Sequence, residues 1–286
     1  MSLTLQAGNR QLDLSQPVCM GIINVTPDSF SDGGQLGQGS AGDFQVDLDR
    51  TLRLAETMVA DGAAILDVGG ESTRPGAQQV SEQQELQRVL PVIEALAARV
   101  DVILSVDTST PTVMRAAIAA GAHMVNDVRA LGLPGAIEEL VQNPVAICLM
   151  HMRGSPATMQ DNTHYEDVLN EVLDFLQQRV RACRDNGIAM ERLLVDPGFG
   201  FGKSAEQNFL LLRELSRLQA IGVPIVAGVS RKSMIGAATG RSVEQRLAGS
   251  IAAATLALQG GANIIRSHDV AATVDAIRVH CAYIQA

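Results

Sequence analysis

Eight short apolar runs, each closing on polar residues, constrain the fold more than any other feature of the chain. They are "VCMGIIN" (18–24), "AILDVGG" (64–70), "DVILSVDTS" (101–109), "HMVNDV" (123–128), "VAICLMH" (145–151), "LLVDPG" (193–198), "PIVAGVS" (224–230) and "NIIRSH" (263–268). Their hydrophobicity is continuous rather than alternating, which marks strands covered on both faces, as in a parallel sheet. Helical patterns lie between them: Leu48, Leu52, Ala55 and Val59 share one helical face, as do Val168, Val172, Phe175 and Leu176. The junctions repeat too. "ADGAAILDV", "AAGAHMVND" and "QGGANIIRS" each read as a helix end, a glycine stop in the left-handed conformation, and a strand.

Eight strands alternating with helices predict an α/β fold, a (β/α)8 TIM barrel. The alternative is an open, doubly wound sheet. Ahead of the barrel, "LTL" and "QLDL" around "AGNR" predict a β-hairpin within residues 1–17 that caps the barrel floor. With 286 residues, 47% of them apolar, and no linker or low-complexity tract, one domain is expected over 1–286, with the barrel spanning 18–286.

Several function classes drop out early. "DPGFGFGKS" (196–204) resembles a phosphate loop, but Pro197 stands where the first glycine of G-x-x-x-x-G-K-[ST] belongs. It also misses G-x-G-x-x-G, because Gly198 and Gly200 are followed by Gly202 one residue too soon. A net charge of −9 argues against a nucleic-acid partner or an anionic membrane surface. No run approaches a membrane span and the N-terminus lacks a signal-peptide layout, so a soluble, cytoplasmic protein is expected. The four cysteines are widely spaced and read as buried apolar residues rather than a disulfide framework or zinc site.

Barrel enzymes work at the C-terminal ends of their strands. Standing there are Asn24, Asp67, Asp107, Asn126 with Asp127, His151, Asp196, Ser230, and Arg266 with His268. Each of these can also serve only to cap the next helix; together around one rim they point to a polar binding site. Asp107, Asn126 and Asp196 offer acceptors suited to the N–H edge of a flat nitrogen heterocycle with an exocyclic amine. A carboxylate metal centre fits less well, since convergent His or Glu ligands are lacking. The opposite side of the rim is cationic, with Arg74, Lys203, Lys232, Arg266 and His268, and suits an anion such as pyrophosphate. Only Lys203 and Lys232 are lysines among the 22 basic residues, and both stand in glycine- or serine-flanked loops. Asn24 is a neutral oxygen ligand of the kind that completes a water-rich Mg²⁺ sphere on a phosphate substrate. Two glycine- and serine-rich loops, 26–42 and 71–81, are candidate lids.

"GIINVTPDSFSDGG", "DVGGESTRPG", "SVDTS", "VNDV", "LMHMRGSP", "DPGFGFGK", "GVSRKSMIG" and "RSHDV" together resemble the bacterial dihydropteroate synthases, in order and from about residue 18 to the C-terminus. Thr110, where lysine is commoner, and Ser267, where valine is expected, are minor departures. The resemblance implies condensation of 6-hydroxymethyl-7,8-dihydropterin pyrophosphate with p-aminobenzoate, giving 7,8-dihydropteroate and pyrophosphate in folate biosynthesis. It implies catalytic roles for Asp107, Asp196, Lys232, Arg266 and His268. Asp107, Asn126, Asp196, Lys232 and Arg266 would hold the pterin, with Val128 and Met150 as apolar walls. Phe201, Lys232 and Ser233 would line the p-aminobenzoate site, where sulfonamides compete, and Phe30, Thr73, Arg74 and Pro75 would close over it. Asn24, Thr73, Arg266 and His268 would meet the pyrophosphate, and Asn24 the Mg²⁺ cofactor. The resemblance also implies a homodimer. Two alternatives share the pterin-holding carboxylates: a pterin-dependent methyltransferase working with a corrinoid protein, and a catalytically silent pterin-binding paralogue.

Overall fold

The computed structural model describes residues 3–27, 36–38, 44–72, 80–155, 158–159 and 163–286. Among them β1 (Thr4–Ala7) and β2 (Arg10–Asp13) form an antiparallel hairpin. Then come β3 (Val18–Asn24), a two-residue pair β4 (Gly37–Gln38) and β5 (Gln45–Val46), and α1 (Leu48–Ala60). The chain continues through β6 (Ala63–Gly69), α2 (Glu82–Ala97), β7 (Ile103–Asp107), α3 (Pro111–Ala119), β8 (Met124–Asp127) and α4 (Ala136–Gln142). After β9 (Ala146–Met150) and α5 (Val168–Asp185) follow β10 (Leu193–Asp196), α6 (Ala205–Arg213), β11 (Val226–Ala227), α7 (Ser233–Thr239), α8 (Leu247–Gln259), β12 (Ile264–Ser267) and α9 (Val270–Gln285).

Eight of these strands form one parallel sheet in the order β10-β9-β8-β7-β6-β3-β12-β11. A parallel bridge from Val195 to Ile225, with Val195 N donating to Pro224 O at 3.0 Å, joins its two edges and closes the barrel. The doubly wound alternative is thereby excluded, because an open sheet has no such closure. Proline 224 brings no N–H to the ladder, and β11 is correspondingly the shortest barrel strand.

The glycine stops behave as the sequence predicts. Gly62, Gly121 and Gly261 have φ of +102°, +111° and +90°, and their N–H groups bond the carbonyls of Val59, Ile118 and Leu258. At the last two, the following residue bonds five residues back, Ala122 to Ala117 and Ala262 to Ala257, which is the Schellman pattern that satisfies the orphaned helix carbonyls. At the other ends, Ser81 with Gln84 and Ser204 with Gln207 form capping boxes for α2 and α6. The face of α1 is rotated from the expected one. Thr51, Leu52, Ala55 and Met58 are buried, whereas Leu48 and Val59 are only partly covered. The long Met58 side chain reaches toward Gly21 of β3, where a Cβ would stand 2.9 Å from its sulfur. On α5 the expected Val168, Val172 and Leu176 are buried, and Phe175 packs at the edge of the core.

Two apolar cores result. The larger lies between the strands and the helices around them. The smaller fills the barrel floor, where Met20, Ile65, Ile103, Met124, Ala146, Cys148, Leu194, Val226 and Ile264 pack on Leu5, Ala7 and Leu14 of the hairpin. Gly8 N donates to Pro144 O just before β9, and Arg10 Nε donates to the His123 ring just before β8. The hairpin therefore plugs the N-terminal end of the barrel, as expected, and leaves the C-terminal end for chemistry. All four cysteines are free and buried, and none of the described helices is long and apolar enough to cross a membrane.

Candidate active site

Strand alternation turns every second side chain into the barrel. One step above the apolar floor, the inward positions change from Ile65, Ile103, Met124, Leu194 and Ile264 to Asp67, Ser105, Asn126, Asp196 and Arg266. Asp67 is fully buried, and its Oδ2 accepts both from Asn126 Nδ2 at 3.0 Å and from Arg266 Nε at 2.7 Å. The same guanidinium donates through Nη2 to Asp107 Oδ2 at 2.8 Å. These bonds span β6, β7, β8 and β12, so they cross the barrel mouth rather than run along one ladder. Burial works against the Arg266 charge, but Asp67 and Asp107 outweigh it and hold its pKa above the ordinary value. At Asp107 burial prevails instead: reinforced by the Asp67 charge and opposed by Arg266, it pushes the carboxyl up, toward its neutral form.

Asp196 sits opposite, 5% exposed, with Oδ1 accepting from Gly198 N at 2.7 Å. Its Oδ2 lies beside Gly228, 3.7 Å from where a Cβ on that glycine would be. Burial raises the Asp196 carboxyl, with Lys232 opposing. Lys232 itself is brought down to about 8 by burial, with Asp196 acting against the fall. Its ammonium donates to Phe199 O and lies 4.3 Å from the centroid of the Phe201 ring. Val128 and Met150 are buried, and Met150 pairs in register with Asp196 on the neighbouring strand. The geometry thus gathers Asp107, Asn126, Asp196, Lys232 and Arg266 in one mouth, walled by Met150.

Arg266, which the resemblance places at both the pterin and the pyrophosphate, holds its guanidinium between the Asp67 and Asp107 carboxylates on the pterin side of the mouth. His268 stands at the rim, where Ser230 Oγ meets its Nδ1 at 3.1 Å and accepts its backbone N–H at 3.2 Å. Arg231, with φ of +56°, pairs with Asp269 and so ties the β11 and β12 loops together on either side of Lys232 and His268. Asn24 ends β3, half-buried, with Oδ1 3.7 Å from the position of a Cβ on Gly69, beside the Asp107 carboxyl. Ser233 is exposed at the first turn of α7. Phe30, Thr73, Arg74 and Pro75 lie outside the described residues.

Asp127 resolves as a capping residue. It points out of the barrel and accepts from Ser109 Oγ, from Arg129 N at 2.8 Å and from Leu131 N at 2.7 Å. Asp67, counted among the polar strand ends but given no ligand role by the resemblance, anchors both Asn126 and Arg266. Its parity was visible: in "AILDVGG" it stands two residues after the inward Ile65. Among the described residues no cluster of three or more His, Cys, Asp or Glu has the geometry to hold a metal ion.

Residues 20–268 match a family described as pterin binding enzyme. The dihydropteroate synthase of Haemophilus influenzae is 50% identical over 277 residues, covering 97% of this chain and 98% of that protein. Among solved structures, the Yersinia pestis dihydropteroate synthase with a sulfonamide drug superposes with a TM-score of 0.93 at 48% identity, covering 99% and 100% of the two chains. The Xanthomonas albilineans dihydropteroate synthase with 4-aminobenzoic acid gives 0.90 at 50% identity, covering 100% and 99%.

Proposed function

The chain belongs to the dihydropteroate synthases of the pterin binding enzyme family, and on that premise we propose how its barrel mouth divides the reaction. It condenses 6-hydroxymethyl-7,8-dihydropterin pyrophosphate with p-aminobenzoate to give 7,8-dihydropteroate and pyrophosphate. The observation that carries the division is the charge pattern: three carboxylates, the buried Asp67 and Asp196 and the largely covered Asp107, against two cations, Arg266 and Lys232, within the mouth. Asp107, Asn126 and Asp196 would accept and donate along the N–H edge of the pterin, with Asp67 holding Asn126 and Arg266 in place. Lys232 would reach both the pterin and the arylamine. Phe201 and Ser233 would line the p-aminobenzoate site, where sulfonamides would compete.

The bond between the pterin CH₂ and the pyrophosphate oxygen breaks with its electron pair leaving on oxygen. The resulting cation is delocalised into the electron-rich dihydropterin, and buried carboxylate charge near the ring stabilises it. The arylamine nitrogen lone pair then forms the new C–N bond, and the nitrogen loses a proton to the departing phosphate or to water. A neutral arylamine needs no activating base, so the reaction is dissociative and SN1-like. With pterin saturating and chemistry rate-limiting, kcat is expected to vary by less than about threefold across ring-substituted p-aminobenzoates of widely different basicity. A steep rise of kcat with amine basicity would overturn this mechanism.

His268 would face the leaving pyrophosphate from the rim, with Thr73 of the second loop. Asn24 would hold Mg²⁺, which when bound neutralises charge on the departing phosphates. A single neutral oxygen at the strand end, without an acidic cluster, fits an ion that keeps most of its waters and rides on substrate phosphate. Four free cysteines suit a reducing compartment and support a cytoplasmic enzyme. A homodimer is supported by the apolar residues that α8 and α9 leave uncovered: Leu256 at 51% exposure, Val279 at 69%, Tyr283 at 70% and Ile284 at 60%. Ile277 and Leu258 on the same helices are buried within the chain.

A further inference from the structure

Lys203 is a buried cation for which the reaction as described has no task. It is 3% exposed although it stands in a loop, because its side chain folds back beneath its own backbone. The ammonium donates to Gly198 O at 2.9 Å and to Phe201 O at 3.1 Å, and it meets His151 Nδ1 at 3.0 Å and His151 O at 3.4 Å. All four partners are neutral dipoles. Burial, reinforced by Lys203, brings the His151 imidazole down to about 2, and burial lowers Lys203 as well, with Asp196 opposing.

These contacts fasten the 198–202 loop flat against the chain that follows β9. Gly198 has φ of +68°, and a Cβ there would fall 1.9 Å from His151 O; Gly202 has φ of +66°, and a Cβ there would fall 2.9 Å from Arg153 O. Only glycine tolerates both the conformation and the approach. The tip of the loop is fixed separately, by Gly200 N donating to Asn208 Oδ1 at 2.7 Å. Its opposite face carries the Phe199 carbonyl and the Phe201 ring, which hold the Lys232 ammonium. The Phe201 carbonyl thus faces Lys203 while the Phe201 ring faces Lys232.

We propose that Lys203 is a positioning residue for the arylamine half of the reaction, pinning the 198–202 loop against His151 through the Phe201 and Gly198 carbonyls and so setting where the Phe201 ring stands. This rests on the reading of Phe201 as a wall of the p-aminobenzoate site. Lys203→Met keeps the stem length and removes the pin, and Lys203→Gln keeps one donor group. Both are expected to raise the KM for p-aminobenzoate at least tenfold while the Kd for a dihydropterin analogue stays within twofold. In a Phe201→Ala background, Lys203→Met is expected to raise the same KM by less than twofold, because the ring it positions is gone. An unchanged p-aminobenzoate KM, equal losses for both ligands, or full additivity with Phe201→Ala would each overturn the pin. So would failure of both variants to fold by circular dichroism, since a loop pin must be removable from an intact barrel. Phe201→Ala by itself separates the two readings. If it leaves the p-aminobenzoate KM unchanged, the wall reading falls; if it raises that KM while Lys203→Met does not, only the pin falls.

Discussion

Asp196→Asn is expected to weaken binding of a dihydropterin analogue by about 2–4 kcal/mol, roughly 30- to 1,000-fold in Kd, while the protein stays folded. The asymmetry of the carboxylate is the reason. Oδ1 is committed to Gly198 N at 2.7 Å, which leaves Oδ2, beside Gly228, to face the ligand. In the variant the amide oxygen must keep the Gly198 contact, so the NH₂ group turns toward the N–H edge of the heterocycle. Donor then meets donor inside a site that admits little water, and a ligand N–H loses its acceptor. Folding is expected to survive, because burial already disfavours the charged form of Asp196 and an amide removes that cost. Calorimetric titration with a pterin analogue, beside a thermal melt, checks both halves. Undiminished affinity in a folded variant would remove Asp196 from the pterin site.

Arg266→Ala is expected to act on the whole barrel mouth, because it strands two carboxylates, the buried Asp67 and the largely covered Asp107, rather than one ligand group. Asp67 has no exposed side-chain surface, Asp107 has 11%, and Arg266 has 18%. Removing one partner from a buried ion-pair network costs about 3–5 kcal/mol, which for a chain of this size lowers Tm by on the order of 10 °C. The loss carries a pH signature. Without the guanidinium, the Asp107 carboxyl, which burial already pushes up to about 8, rises further above the unfolded value of roughly 3.9. A raised carboxyl destabilises the native state above its unfolded pKa, and the penalty grows until pH passes the folded pKa. The deficit of the variant relative to the parent is therefore expected to stay constant from about pH 4 to about pH 8 and to widen above it. Pterin affinity should fall as well, since Asp107 loses the partner that holds it and Asp67, which holds Asn126, loses one of its two. Melts that match the parent at every pH would contradict the network, and a loss confined to pyrophosphate-bearing ligands would return Arg266 to the rim.

That second prediction marks where sequence and structure part. The eight strands and the three glycine stops follow from local physics, each readable from a run of ten residues or fewer, whereas closure rests on the bridge from Val195 to Ile225. The gathering of Asp107, Asn126, Asp196 and Lys232 also follows, because strand parity and the C-terminal rim are properties of the barrel itself. What parity leaves open is the partner across the mouth. Asp67 and Arg266 are 199 residues apart in sequence, and nothing in either segment announces that they touch. Arg266 was legible as a cation at the end of a strand, but not as one already engaged by two carboxylates. Asp127 looks like its neighbour Asn126, yet one residue of alternation sends it outward to cap the turn at Arg129 and Leu131. Lys203 shows the same limit, since its partners are backbone carbonyls whose direction is set by Gly198 and Gly202.

The most direct test of the account is pyrophosphate release from 6-hydroxymethyl-7,8-dihydropterin pyrophosphate, followed with and without p-aminobenzoate and Mg²⁺. The synthase reading predicts catalytic release only when both are present, with one 7,8-dihydropteroate formed for each pyrophosphate. Pyrophosphate that stays bound to carbon under those conditions, with both substrates saturating the folded protein, would contradict it.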